Sequence, residues 1–440
     1  MKQKNYLYAS LVCFVLLAGA ITYNILHNED AYLGYTGLGD SIELTDDDSQ
    51  VYFSYYQDGE ESIYRANSNG DAVKQITQPD DERHRKPVLS PDGKNLLYLS
   101  ENEDRIQSLY IADLNGEHQK KLTDDTVHVA EAVFSDDQIY YVGMPAEAVG
   151  KAEGETKEGF DLHSVGLDGE NDQKLTDEDH FTMNHLASSD DGSAIYYTLF
   201  NGNDDKIYAY NVENGKETRA DWVPSEVGAV YDWNYDEAKS AFAFTNVSDE
   251  SENSSLFKYE LYYRDLNEGE TKQLTTLESS VVSPEFFHQS NKIAFLEYTN
   301  WANHPEEYVL KTVDVASKEV KEVSMDLPGS TNSQWVRKTL NVVTSSIAIA
   351  VYYTVLLSLL TIYYYKKSGK RYRTGLVSIL LAVAVFLSSI LVAMLSDPWA
   401  GIALGILAVG MLPSSVIALL VGLIIGRLEK TTQEEAVSRR

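Results

Sequence analysis

The chain has 440 residues, with 36 lysines and arginines against 67 aspartates and glutamates, a formal charge of −31, and one cysteine. Such acidity excludes a nucleic-acid binder, because phosphates would be repelled. A lone Cys13 excludes an intramolecular disulfide framework, and a disulfide-free outer domain is ordinary for a bacterial cell surface.

Residues 1–27 open with Lys2 and Lys4, then run through 21 mostly apolar residues from Tyr6 to Leu26. That length crosses a bilayer, so the segment predicts a signal anchor. The alternative is a cleaved signal peptide, with Ala18-Gly19-Ala20 as the cleavage pattern. The apolar run continues past Ala20, which favours retention, and no cysteine follows that could carry a lipid. Residues 28–45 are a polar approach ending in Ile42-Glu43-Leu44-Thr45. This segment reads as a stray closing strand that would pair into the last blade of a ring, or else as a linker.

From Ser90 to Thr123 the sequence spells a meander. A Ser90-Pro91-Asp92-Gly93 turn leads to the apolar run Leu96–Leu99. An alternating strand, Leu109–Leu114, then reaches an Asn115-Gly116 turn and a short strand ending in Leu122-Thr123. The pattern recurs. Its closing strand returns at Ile76-Thr77, Leu175-Thr176 and Leu274-Thr275, and its hairpin partner at Ile63-Tyr64, Leu162-His163, Ile207-Tyr208 and Leu261-Tyr262. The opening turn returns at Ser135-Asp136-Asp137 and Ser189–Gly192, and more loosely at Asn234–Asp236 and His288–Asn291. A degraded fourth unit and a weak sixth, ending near Val323-Ser324, bring the count to six. A period of about 50 residues built from short strands is the signature of propeller blades.

These residues also resemble a family. SPDGKNLLYLS followed by SLYIADLNGEHQKKLT is similar to the repeat of TolB-type six-bladed propellers, which also occurs beside the hydrolase domain of prolyl oligopeptidase relatives. The resemblance covers about 40–324 and implies an all-β propeller of about six four-stranded blades. It implies fold more than function, because propellers host unrelated activities.

Charge and hydropathy then divide the chain. Residues 28–334 hold 23 basic and 63 acidic residues, so the remainder has 13 and 4 and is positive. The acidic excess suits solubility in a saline or alkaline medium. The stretch around Ser251 reads as an exposed acidic loop. Residues 335–428 predict three transmembrane helices at 340–365, 375–395 and 401–425, without a charged residue in any span. The loop 366–374 carries five positive charges and belongs in the cytoplasm with Lys2 and Lys4. The propeller and Asp397 are then outside and the tail 429–440 inside, which predicts a multi-pass protein of a bacterial cell membrane. Charge-free spans do not make a transporter. Gly401-x-x-x-Gly405 and Gly422-x-x-x-Gly426 would let helices approach closely, either in the protein's own bundle or with a partner. Pro413 is expected to kink the last helix.

For chemistry, the inter-blade loops converge at one mouth of a propeller, and there they are polar. His84, Asp124, His128, Asp179, His180 and His185 fall in three successive loops as a candidate ligand-binding rim. Imidazoles beside carboxylates can hold a divalent metal, though a loop histidine is more often simply solvated. There is no Gly-x-Ser-x-Gly elbow, no His-Glu-x-x-His helix and no phosphate-cradling glycine loop. No catalytic residue and no cofactor is expected. The leading expectation is a non-catalytic binding, sensing or scaffold module with a protein partner or an envelope ligand. The alternatives are an accessory subunit of a membrane complex for transport, secretion or signalling, or a propeller hydrolase.

Overall fold

A computed structural model describes residues 3–27, 31–151, 156–200, 202, 204–224, 227, 229–251, 253–331, 335–396 and 398–438. The chain forms two compact units, Ala31–Asn332 and the helical pair of segments Met1–Asp30 with Ser333–Arg440.

The first unit is a six-bladed β-propeller. Its 24 described strands form six antiparallel sheets of four, each built from consecutive strands. The inner strands are Gly37–Leu44, Arg83–Leu89, Val127–Ser135, Asn184–Ser188, Trp233–Asp236 and Ser280–Phe286. Blades 5 and 6 also share one parallel pair, Tyr259 with Ser280. The faces between blades are apolar. Leu97, Leu109, Phe134 and Tyr141 fill the space between blades 2 and 3, and Leu38, Ile42 and Phe53 meet Ala294, Leu296 and Leu310 between blades 1 and 6.

The repeated residues have identifiable jobs. Gly93 in the opening turn has φ +65°, and the Ser90 hydroxyl accepts the Asn95 amide at 2.9 Å. The hydroxyls of Thr77, Thr123, Thr176 and Thr275 accept the backbone N–H of Ile63, Leu109, Leu162 and Leu261 at 3.0, 3.0, 2.9 and 2.8 Å. Three of the fourth strands concerned have two residues and one has three. The threonine side chain therefore continues a ladder that the backbone cuts short, satisfying a buried donor.

Three expectations need correction. Ile42–Thr45 does not complete the last blade. Gly37–Leu44 is the first blade's own inner strand, paired with Gln50–Gln57 across a tight turn in which Thr45 and Gln50 bond each other. Blade 6 has its own fourth strand, Val320–Glu322, so the ring closes without strand exchange. Nor are the polar stretches around His84, His128 and His185 wholly loops, since each begins an inner strand. Their apolar alternation is broken because one side of each strand faces the channel and because each carries a bulge. Finally, Ser251 is buried, its hydroxyl accepting the Lys258 amide at 2.9 Å.

The second unit comprises α1 (Gln3–His27), α2 (Trp335–Thr344), α3 (Ser346–Ser368), α4 (Arg373–Leu395) and α5 (Pro398–Ser438). Four segments are long and apolar enough to cross a membrane: Lys4–Leu26, Ser346–Ser368, Arg373–Leu395 and Pro398–Glu429. The first C-terminal span starts later than 340, because the Ser345 hydroxyl caps α3 by accepting the Ala348 amide and so separates the short helix α2. Asp397 lies outside the described residues, and α5 runs unbroken through Pro413. The small-residue faces are occupied within this bundle. A Cβ on Gly401 would strike Ala393, and one on Gly422 or Gly426 would strike Arg371. Between helices, Tyr353, Ser378 and Ser415 hydrogen-bond in a row at 2.6 Å per step, which satisfies buried hydroxyls without any charge.

Candidate functional site

Polar side chains line the propeller channel at one recurring position, four residues before the opening-turn landmarks Thr45, Ser90, Ser135, Ser189, Asp236 and Phe287. Those positions are Ser41, Lys86, Glu131, His185, Asp232 and Ser283. At or beside each, the inner strand bulges against its neighbour. Lys86, His185 and Ser283 have φ of +50°, +57° and +51°. Among the described residues these are the non-glycine positive-φ residues that lie inside strands, and they occupy the same place in blades 2, 4 and 6. A left-handed L-residue costs about 1–2 kcal/mol. Bulges of this kind re-aim side chains, here into the channel.

The side chains form a belt that passes from blade to blade around the ring. Lys86 Nζ bonds Glu131 Oε1 and the Ala130 carbonyl, each at 3.1 Å. Glu131 Oε2 accepts the Leu186 amide at 2.9 Å. His185 Nε2 lies 3.5 Å from Asp232 Oδ1, and Asp232 Oδ2 accepts the Ser283 amide at 2.6 Å. The Ser283 hydroxyl accepts the Ile42 amide at 3.2 Å, and Glu43 Oε1 accepts the Leu89 amide at 3.4 Å, returning the belt to blade 2.

The charges within the belt are uneven. Burial works against the Glu131 carboxylate, but Lys86 and His185 outweigh it and hold its pKa below the usual value. Burial raises that of Asp232. Burial pushes Glu43 up to about 8. Burial also carries Glu285 well above the ordinary glutamate value, reinforced by Glu43. Glu285 accepts a hydrogen bond from Asn234 at 3.0 Å. Outside the belt, Arg85 lies 3.3 Å from the buried Glu61 and 3.2 Å from Glu101, tying blade 1 to blade 2.

The six rim residues each have their own surroundings. His84 is buried 4.7 Å from the Tyr98 ring, and burial lowers its pKa to about 4, which keeps it neutral. His128 Nδ1 accepts the Gln107 amide at 3.2 Å, and burial lowers its pKa too. His180 sits 3.5 Å from Glu217, whose carboxylate raises its pKa. Asp124 accepts the Thr126 amide at 2.7 Å, and Asp179 the Gly159 amide at 3.2 Å. His185 belongs to the belt. Among the described residues no hydrogen bond or ion pair joins any two of the six. A grouping with three metal-competent donors close together is Asp113, Glu117 and His118, on the hairpin at the other end of the ring.

Sequence reading missed Lys86, Glu131, Asp232 and Ser283. The signal is the fixed spacing before the turn landmarks, and it becomes readable only once these polar stretches are placed as inner strands with a defined register.

No family model and no curated protein matches the sequence. Solved structures are similar in fold. TolB from Acinetobacter baumannii is 16% identical with a TM-score of 0.49, over 65% of this chain and 66% of that one. A putative TolB from Agrobacterium tumefaciens is 18% identical with a TM-score of 0.44, over 57% and 84%. Oligogalacturonate lyase from Vibrio parahaemolyticus is 14% identical with a TM-score of 0.45, over 65% and 93%. The chain thus spans just under two thirds of the Acinetobacter protein. With six four-stranded blades and four apolar helices in place, the chain carries a six-bladed β-propeller joined to segments that can cross a membrane.

Proposed function

We propose that this chain is a membrane-anchored extracytoplasmic module whose propeller is a non-catalytic binding or scaffold platform for a protein or a cell-envelope ligand. Four spans hold it at a bacterial cell membrane, with α1 retained as an anchor and the basic loop before α4 in the cytoplasm. The belt carries this reading. Its charged side chains are engaged by the next blade, so they act as ties and none is paired as a nucleophile with a base. A ring tied in this way keeps its rim loops in fixed positions, as a preformed recognition surface requires. The rim residues His84, Asp124, His128, Asp179, His180 and His185 are the proposed ligand contacts, drawn from three successive inter-blade stretches.

Retention of α1 is supported by its packing. Cys13 and Leu17 are buried with Leu356, and Cys13 Sγ lies 3.1 Å from the Tyr352 carbonyl. Purification of the full chain in mild detergent, followed by mass spectrometry of co-purifying material, tests the platform reading. A ligand or partner lost on His128→Ala or His180→Ala supports it. Retention of every bound species by both variants removes the rim from the proposal. A second reading, accessory subunit of a membrane complex, is favoured by α2, which is a short amphipathic helix beside the spans. A stoichiometric membrane partner that survives the rim variants would select that reading.

A further inference from the structure

An apolar groove of about 440 Å³ runs between α4 and α5 of the helical unit, lined by Tyr372, Leu376, Val416, Leu419, Leu420 and Leu423. Leu376, Val416 and Leu420 are exposed. Behind them the two helices pack tightly. A Cβ on Gly375 would lie 2.7 Å from the Leu419 side chain and 3.1 Å from the Ser415 carbonyl oxygen. The groove therefore has a closed floor and an open side. Along α5 its wall follows one stripe, Val416, Leu420, Leu423 and then Arg427, at steps of four, three and four residues. The apolar wall thus ends in a cation.

A second arginine stands at the same end. Tyr372 is the groove residue next to the basic loop, and the Arg371 guanidinium lies 4.8 Å from the centre of its ring. A Cβ on Gly426 would strike that guanidinium, so Arg371 reaches α5 one residue before Arg427. Neither arginine is neutralised. Among the described residues no ion pair holds Arg371 or Arg427, nor Lys366, Lys367, Lys370 or Arg373 around them. Glu429, the acid closest in sequence to Arg427, accepts the Tyr365 hydroxyl. The tail 429–440 has three basic and three acidic residues and leaves the excess unchanged. The first amides of α4 also lack a side-chain cap, which leaves N–H donors at this end of the groove.

We propose that this groove seats an anionic phospholipid, with an acyl chain along the apolar wall and the headgroup phosphate between Arg371 and Arg427. Planar guanidinium groups meet phosphate oxygens two at a time, and the uncapped start of α4 adds backbone donors. A zwitterionic lipid would bring its own ammonium against the two arginines, so the site selects a headgroup with net negative charge. Membrane topology explains basic residues in the loop, but it does not require them at the mouth of a groove, and Arg427 lies outside the loop altogether. The site rests on the reading of α4 and α5 as membrane spans. It adds a lipid that is bound by the protein to those that merely surround it.

The test therefore measures both. The full chain with Cys13→Ser, carrying a bimane fluorophore on Ile424→Cys or Leu381→Cys, is placed in phosphatidylcholine nanodiscs. A small share of the lipid is then exchanged for phosphatidylglycerol or phosphatidylcholine brominated on its acyl chains, which quenches a fluorophore it touches. Ile424 is exposed one turn beyond Leu420, outside the lining, and Leu381 is exposed near the middle of α4. Brominated phosphatidylglycerol should quench the Ile424 label at a share about fivefold lower than brominated phosphatidylcholine, the attraction of one arginine for an anionic headgroup. Both lipids should quench the Leu381 label alike. Arg371→Gln with Arg427→Gln should abolish the difference at Ile424, and Lys366→Gln with Lys367→Gln should keep it. Equal quenching at Ile424 by the two lipids overturns the proposal, and so does an equal loss in the two double variants, which would leave only diffuse attraction to the basic loop. A Leu381 label quenched by neither lipid overturns the membrane reading beneath it.

Discussion

Ser283 and Ile42 are 241 residues apart in sequence, and the hydroxyl of the first accepts the amide N–H of the second at 3.2 Å. Here the last blade meets the first, and no shared strand joins them. Close by, the Asp48 carboxylate accepts the amides of His288 and Gln289 at 2.7 and 2.8 Å. Ring closure is therefore a matter of a few directed bonds laid over the apolar contact of Leu38 and Ile42 with Leu296 and Leu310. Ser283→Ala should lower the unfolding free energy of a fragment covering 31–331 by about 1 kcal/mol, the net worth of one such bond. Asp48→Ala should do the same, and the pair should be non-additive because both act on one junction. Urea unfolding of the two single variants and the double variant checks this, and unchanged midpoints in all three would remove the closure account.

The threonine contacts make a stronger prediction because they are repeated. Thr123→Val keeps the shape of the side chain but leaves the buried Leu109 amide without its acceptor, so it should cost about 1–3 kcal/mol. Thr77→Val and Thr275→Val should fall in the same range, since their hydroxyls accept equivalent amides at 3.0 and 2.8 Å. Thermal unfolding of the three variants in parallel is the measurement. A large scatter would mean that the repeat is one of sequence and not of energetics.

Two glycines separate backbone strain from crowding. Gly93 has φ +65° and open space where a Cβ would go, so Gly93→Ala should cost only the left-handed penalty of about 1 kcal/mol. Gly116 has φ +79°, and a Cβ there would lie 2.1 Å from the Ile76 carbonyl oxygen. Gly116→Ala should therefore be clearly the more damaging of the two. Equal effects would argue that the Asn115-Gly116 turn of blade 2 can shift away from Ile76 of blade 1.

These two turns also show how much was legible. Ser90-Pro91-Asp92-Gly93, Asn115-Gly116 and the recurring Thr were readable because local chemistry dictates them: positive φ, turn bonds and a missing ladder partner. The number of blades followed from their spacing. The inner strands were hidden for the opposite reason. Arg83–Leu89 contains three basic residues and a proline, and only its place against the channel and beside Glu61, Glu101 and Glu131 makes it a strand. Similarly, Ile42–Leu44 looks like a closing strand in isolation, and the turn at Thr45 decides its partner. The rim histidines could be found as residue types, but a loop position says nothing about whether an imidazole ends on a tyrosine ring, as His84 does, or against a carboxylate, as His185 does.

The Glu43–Glu285 pair gives the propeller a pH dependence with a definite sign. The Glu43 pKa rises from 4.5 to about 8 on folding, mainly through burial, so the unfolded chain releases that proton first. Stability is then lost as pH rises from about 4.5 towards 8, the reverse of an acid held in an ion pair. Glu43→Gln should flatten this part of the stability profile and raise stability at pH 8 relative to the parent. Urea midpoints at pH 5, 6.5 and 8 for both proteins check it. A steeper profile in the variant would contradict the assignment.

The claim on which the rest depends is that the propeller lies outside a membrane crossed by α1 and α3–α5. It is tested most directly in intact cells, with a membrane-impermeant thiol reagent and single cysteines in a Cys13→Ser background. Ser368 closes α3 within the basic stretch 366–374, and Glu213 is exposed on a propeller hairpin. The account predicts that Glu213→Cys is labelled in intact cells and that Ser368→Cys is labelled only after lysis. Labelling of Ser368→Cys in intact cells, with Glu213→Cys protected until lysis, would contradict it.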